Sequence, residues 1–226
     1  MAVAFDNVAV GSGSGGNLNI AITPAGTPRG VLLMFSADAA PTGAITYGGE
    51  TMGAVALSGL AGSGDRSIFG YLLGAGVPTG EQTATAEGVT TARGMVVTLT
   101  ADDDTEVVDT TTISTTANGD ITGTLSHGGR SAFDAECWIS SAGSLATTSP
   151  LTGWTERSET DEGNTTNGRY TYDTVDTADV TFGVNTSVEQ TLAILGVAIA
   201  EVEAGGAVVG AGLTSGLKLE RRRIVA

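Results

Sequence analysis

The chain offers few residues for chemistry. One histidine, His127, follows Ser126 in LSHGGR, and one cysteine, Cys137, sits in AFDAECWIS. A serine nucleophile needs a base, and the base needs an orienting carboxylate, all converging in space. Ser126 and His127 supply two of the three, but no G-x-S-x-G elbow surrounds a serine and H-G-G alone defines no reaction. The spacing predicts a turn histidine. One histidine and one cysteine cannot build a structural zinc site. Cys137 lies in an alternating apolar run, which predicts a buried, inert thiol.

Carboxylates are more plentiful. ADDDTEVVD places Asp102, Asp103, Asp104, Glu106 and Asp109 close together, and calcium favours several carboxylates at short spacing. The run lacks the glycine and the bidentate glutamate of an EF-hand, so it predicts a solvated loop. DEGNTTNG at 161–168 predicts a polar hairpin loop. GSGSGG at 11–16 matches G-x-G-x-x-G, with Asp38 downstream, but a dinucleotide site needs a helix opening at the third glycine. Here NLNIAITP follows, a strand ending at Pro24, so the glycines predict a turn between strands. Trp138 and Trp154 could stack on sugars, yet tryptophan at strand spacing is more often core. The sequence therefore predicts no catalytic residue, no metal and no cofactor.

The elements that must position these residues are strands. Thr and Gly each occur 34 times in 226 residues, and Lys occurs once. A branched Cβ suits a pleated surface, and glycine supplies turns. Strand-like runs separated by Gly, Pro, Asn and Asp recur: 3–10, 17–22, 30–37, 44–49, 67–73, 82–88, 95–101, 106–115, 120–126, 132–141, 153–159, 168–174, 179–184 and 192–202. No window shows a capped helical period. VLLMF (31–35) and LAILGVAIA (192–200) are apolar on both faces and predict central strands. FDAECWI alternates, which predicts one wet face. The expected fold is all-β, an antiparallel β-sandwich of jelly-roll type with an extended C-terminal arm.

Two further patterns bear on organisation. An apolar strand, a hairpin, an aromatic strand and a second apolar strand followed by acids occur in both halves. A duplicated strand order would produce this, and so would any two stretches of a sandwich. After Glu203 the texture changes: AGGAVVGAGLTSG is a linker composition. The boundaries are therefore 1–203 for the body and 204–226 for linker and basic arm.

Within the body, Ile45-Thr46-Tyr47-Gly48-Gly49 with Met52, then Tyr71-Leu72-Leu73, Pro78 and Gly80, resemble a β-sandwich domain of tailed-phage virion structural proteins of head-decoration or tail-associated type. The resemblance covers about residues 3–203. It implies a sandwich fold and a structural role, and carries no catalytic residues. The arm lies outside the pattern.

Charge points the same way. Residues 1–217 carry a net −18, while Lys218, Arg221, Arg222 and Arg223 against Glu220 give residues 218–226 a net +3. So acidic a body repels nucleic acid and anionic membranes. MAVAFDNVAV lacks the basic and apolar regions of a signal peptide, so the expectation is a soluble chain made in the cytoplasm and destined for a virion. The arm predicts a partner surface: the arginines for carboxylates on a capsid or tail protein, Ile224 and Val225 for a short added strand. A homo-oligomer in the particle is expected. Alternatives are a tail, collar or fibre component, a carbohydrate-binding module using Trp138 and Trp154, and, least, a hydrolase using Ser126 and His127.

Overall fold

Strands that are apolar on both faces need neighbours on every side, and two such strands organise the molecule. The computed structural model describes residues 3–56, 60, 65–141, 148–162 and 165–202. Among the described residues, thirteen strands form two antiparallel sheets: β1 (Ala4–Ile22), β2 (Gly30–Ala37), β3 (Ile45–Tyr47), β4 (Glu50–Thr51), β5 (Gly53–Ala56), β6 (Arg66–Leu73) and β7 (Gln82–Thr100) in the first; β8 (Thr105–Leu125), β9 (Ala132–Ser141), β10 (Thr148–Pro150), β11 (Trp154–Glu162), β12 (Thr165–Asp176) and β13 (Val180–Glu201) in the second. The fold is an antiparallel β-sandwich.

The two sheets repeat one wiring plan. β7 takes β1 along one edge and both β3 and β2 along the other, after which come β6 and β5. β13 takes β8 along one edge and both β10 and β9 along the other, after which come β12 and β11. The echo between the two halves of the sequence is therefore a duplicated strand order. VLLMF falls in β2 and LAILGVAIA in β13, the interior strands expected of them.

Eight of the fourteen expected strands are halves of four long ones. VAFDNVAV and NLNIAI are both β1, 82–88 and 95–101 are both β7, 106–115 and 120–126 are both β8, and 179–184 and 192–202 are both β13. GSGSGG is thus not a turn between strands but a bend within β1, still paired with β7. Gly11 and Ile20 lie nine residues apart, about 30 Å in a straight strand at ~3.3 Å per residue. Yet a Cβ at Gly11 would sit 2.9 Å from Ile20 Cγ1. The ribbon doubles back over its own sheet, and β-carbons would block that close approach. The second half repeats the device: a Cβ at Gly123 would lie 3.2 Å from Ile113 Cδ1.

Doubling back gives three apolar layers. Leu32, Met34, Phe69 and Val97 meet Phe133, Cys137, Leu195 and Val197 between the sheets. Leu18, Ile20 and Ile22 on the returning limb of β1 join Val31, Leu33 and Phe35 on the outer face of β2. Ile121 and Leu125 join Trp138, Tyr170, Phe182 and Ile194 in the second half. This corrects one expectation. FDAECWI, in β9, has no wet face, because the folded-over limb covers it; Asp134 and Glu136 are both fully buried.

Candidate functional site

The β8–β9 turn brings His127 to the core and leaves Ser126 exposed. Gly128 and Gly129, at φ +61° and +80°, let the chain reverse there. His127 Nδ1 lies 2.9 Å from the carbonyl of Asp176. A carbonyl only accepts, so Nδ1 carries a hydrogen. Nε2 faces both carboxyl oxygens of Asp134, at 3.0 and 3.1 Å, and neither side chain is exposed. Burial pushes the Asp134 carboxyl from 3.8 up to about 6, against the pull of His127 and with help from the Asp109 charge.

Both ring nitrogens are thus engaged. The Ser126 hydroxyl donates to Asp179 Oδ1 at 3.1 Å, and the backbone N–H of Ser126 donates to Asp109 Oδ2 at 2.7 Å. The His127 N–H also donates to Asp179 Oδ1, at 3.0 Å. The arrangement joins three segments and is not a nucleophile paired with its base.

Two residues along the same face of β9, Glu136 Oε2 accepts the Gly183 N–H at 2.7 Å. Burial raises this carboxyl well above its ordinary value, against the pull of the Gly183 N–H. Gly183, at φ +129°, marks a kink in β13 where a Cβ would stand 2.0 Å from Ile121 O. Next to Glu136, Trp138 and Tyr170 form a tilted ring pair with centroids 6.1 Å apart. Burial raises the Tyr170 phenol. Asp134 and Glu136 were missed at the level of sequence because their alternation with Phe133, Ala135 and Cys137 reads as a half-wet strand.

The inward face of β9 carries Cys137, fully buried, its thiol pushed up to about 12 by burial. The expected inert thiol is what stands there. Opposite it, Arg169 of β12 is fully buried between the sheets, and its Nη2 donates to the carbonyl of Arg93 on β7. Arg157 of β11 covers the Phe5 ring at 4.3 Å. Trp138 and Trp154 are both core, and Trp154 Nε1 donates to Thr181 O at 2.9 Å. No sugar-stacking platform is built from them.

The acidic run divides among separate partners. Asp104 pairs with Arg29 at 3.8 Å, Glu106 with Arg130 at 2.7 Å, and Asp109 holds the Ser126 N–H. Among the described residues no group of three or more ligands is placed to hold a metal. β11 and β12 form the expected hairpin around DEGNTTNG, whose tip lies outside the described residues. Among the described residues, two surface depressions border these groups. One of about 220 Å³ is lined by Ser36 and Asp38 of one sheet and Asn167 of the other; a shallower one of about 360 Å³ is lined by Glu106, Asp109, Ser126 and Arg130.

The last described residues, Glu201 and Val202, are fastened to the body. Val202 N–H donates to Asp104 O at 2.7 Å. Arg130 Nη2 donates to Glu201 O, and Glu201 Oε1 accepts the Asp102 N–H at 2.8 Å. The arm residues Lys218, Arg221, Arg222, Arg223, Ile224 and Val225 lie outside the described residues. Compared with family models, curated proteins and solved structures, the chain has no significant match.

Proposed function

We propose that the chain is a non-enzymatic structural protein of a tailed-phage or phage-like particle: a head decoration or cement protein made in the host cytoplasm and present in many copies. Its sandwich is the outward body, and its C-terminal arm is the anchor. The observation that carries this reading is the fastening of the last strand. Arg130 and Asp104 clamp Glu201 and Val202, so a pull on the following segment meets a fixed base instead of a fraying end. The side chains of reactive type add support, since His127, Asp134, Glu136 and Cys137 serve as buried ties within the core. The charge reversal in residues 218–226 suits an acidic partner such as a capsid or tail protein, with Arg221 to Arg223 engaging its carboxylates in two-pronged pairs.

A chain lacking residues 217–226 tests the anchor. Its melting behaviour should match the full chain, while its occupancy on particles should fall roughly tenfold or more, a loss of about 1.4 kcal/mol or more. Undiminished occupancy overturns the reading. Imaging of labelled particles then reads the location, and label on the tail would make the protein a tail, collar or fibre component.

A further inference from the structure

Two long strands, β1 and β8, are paired on one side only among the described residues. Their free edges differ. β1 is interrupted by register shifts after Phe5 and after Gly16, and its middle is GSGSGG. β8 pairs residue by residue with β13 from Asp109↔Ala198 to Ala117↔Gln190, with no irregularity. Within that straight run, TTTISTTA at 110–117 holds no charge, no glycine and no proline. Sheets blunt an exposed edge with charges, prolines or bulges, and this stretch has none of them. Thr110, Thr112, Ser114 and Thr116 are exposed, while Thr111, Ile113 and Thr115 are half-buried.

The stretch is also nearly symmetric about Ile113. A two-fold axis normal to a sheet keeps each face with itself, so residues of like parity come to oppose one another. Centred on Ile113, such an axis sets Thr110 against Thr116, Thr111 against Thr115, Thr112 against Ser114 and Ile113 against its own copy. Asp109 meets Ala117, so no acid faces an acid along the run. Hydroxyl pairs across neighbouring strands are favourable, and the fold already holds one on the other side of β8, Thr116 Oγ1 to Thr191 Oγ1 at 2.9 Å.

We propose that the free edge of β8 is a homodimer interface, two copies joining antiparallel through residues 109–117 into one continuous sheet. The self-complementary order of residue types selects a second copy as the occupant. The lack of charge in this stretch lets acidic bodies meet here while repelling elsewhere. The proposal does not depend on the arm or on the particle.

Sedimentation equilibrium of the full chain tests it. The expected mass is twice that of the chain, with association strengthened by salt as repulsion between the bodies is screened. Thr112→Lys combined with Ser114→Lys sets lysine against lysine across the axis at exposed positions; the expected result is a monomer with an unchanged circular dichroism spectrum. Thr112→Lys combined with Ser114→Glu sets each lysine opposite a glutamate and should restore the dimer. Removing residues 217–226 should leave the dimer intact. A wild-type chain monomeric at every concentration overturns the proposal, as does a Lys/Lys variant that stays dimeric or a dimer lost with the arm.

Discussion

His127 Nε2 and the carboxyl of Asp134 meet at 3.0 Å with neither side chain exposed to solvent. The bond ties the β8–β9 turn to β9, and His127 Nδ1 ties the same turn to the end of β12 through Asp176 O. One imidazole thus ties three segments of the chain together. Removing His127 leaves a buried carboxyl without its partner. His127→Ala should cost about 3 kcal/mol in denaturant unfolding, the usual penalty for breaking one side of a buried pair.

The Asp134 carboxyl is raised from 3.8 to about 6 in the folded chain. Between those values the native state keeps a proton that the unfolded state releases. The contribution is therefore fully present below the unfolded value and is lost as pH rises through about 6. The amide of an Asp134→Asn variant does not titrate in this window. Comparing wild type with that variant, wild type should gain about 3 kcal/mol relative to the variant as pH falls. A pH-independent difference between the two would contradict the assignment.

Burial pushes the titration of Glu136 well upward in the fold. Glu136→Gln keeps an oxygen for the Gly183 N–H and adds no charge. At low pH it should match wild type within about 1 kcal/mol. As pH rises wild type must either hold its proton or bury a charge, so the variant should become the more stable of the two. Glu136→Lys should prevent folding, which soluble yield and circular dichroism would show.

Gly183 stands at φ +129° with Ile121 O where a Cβ would be. Gly183→Ala should destabilise by about 3 kcal/mol or more, from backbone strain and collision together. Gly76→Ala is the control, since nothing lies within 4 Å of its added methyl. It should stay within about 0.5 kcal/mol of wild type. Equal melting temperatures for the two variants would show that the β13 kink is not held as described.

Cys137 is fully buried with its thiol near 12. A thiol reagent should react with the native chain only through opening, at a rate that follows global unfolding as denaturant is added. Fast labelling in native buffer would mean that the layer between the sheets opens locally.

Composition and hydrophobic pattern, which are local properties, were enough for the class of fold. Abundant threonine, a single lysine and no helical period leave strands as the option. VLLMF and LAILGVAIA declare themselves interior because a strand buried on both faces has no polar alternation to hide. Even the duplicated order leaves an echo, since equivalent strands carry similar burial demands. What the sequence could not determine is where a strand continues through its glycines. GSGSGG has the composition of a turn, and whether it ends β1 or bends it depends on β7 running alongside through the same bend. Burial of Asp134 and Glu136 was hidden for the same reason: their alternation fits a wet face until a limb from elsewhere in the chain folds over it. His127 and Asp134 are seven residues apart in sequence, yet their pairing depends on the turn that reverses β8 into β9. Tertiary contact decides such matters because desolvation is set by whatever covers a side chain, and the cover comes from distant sequence.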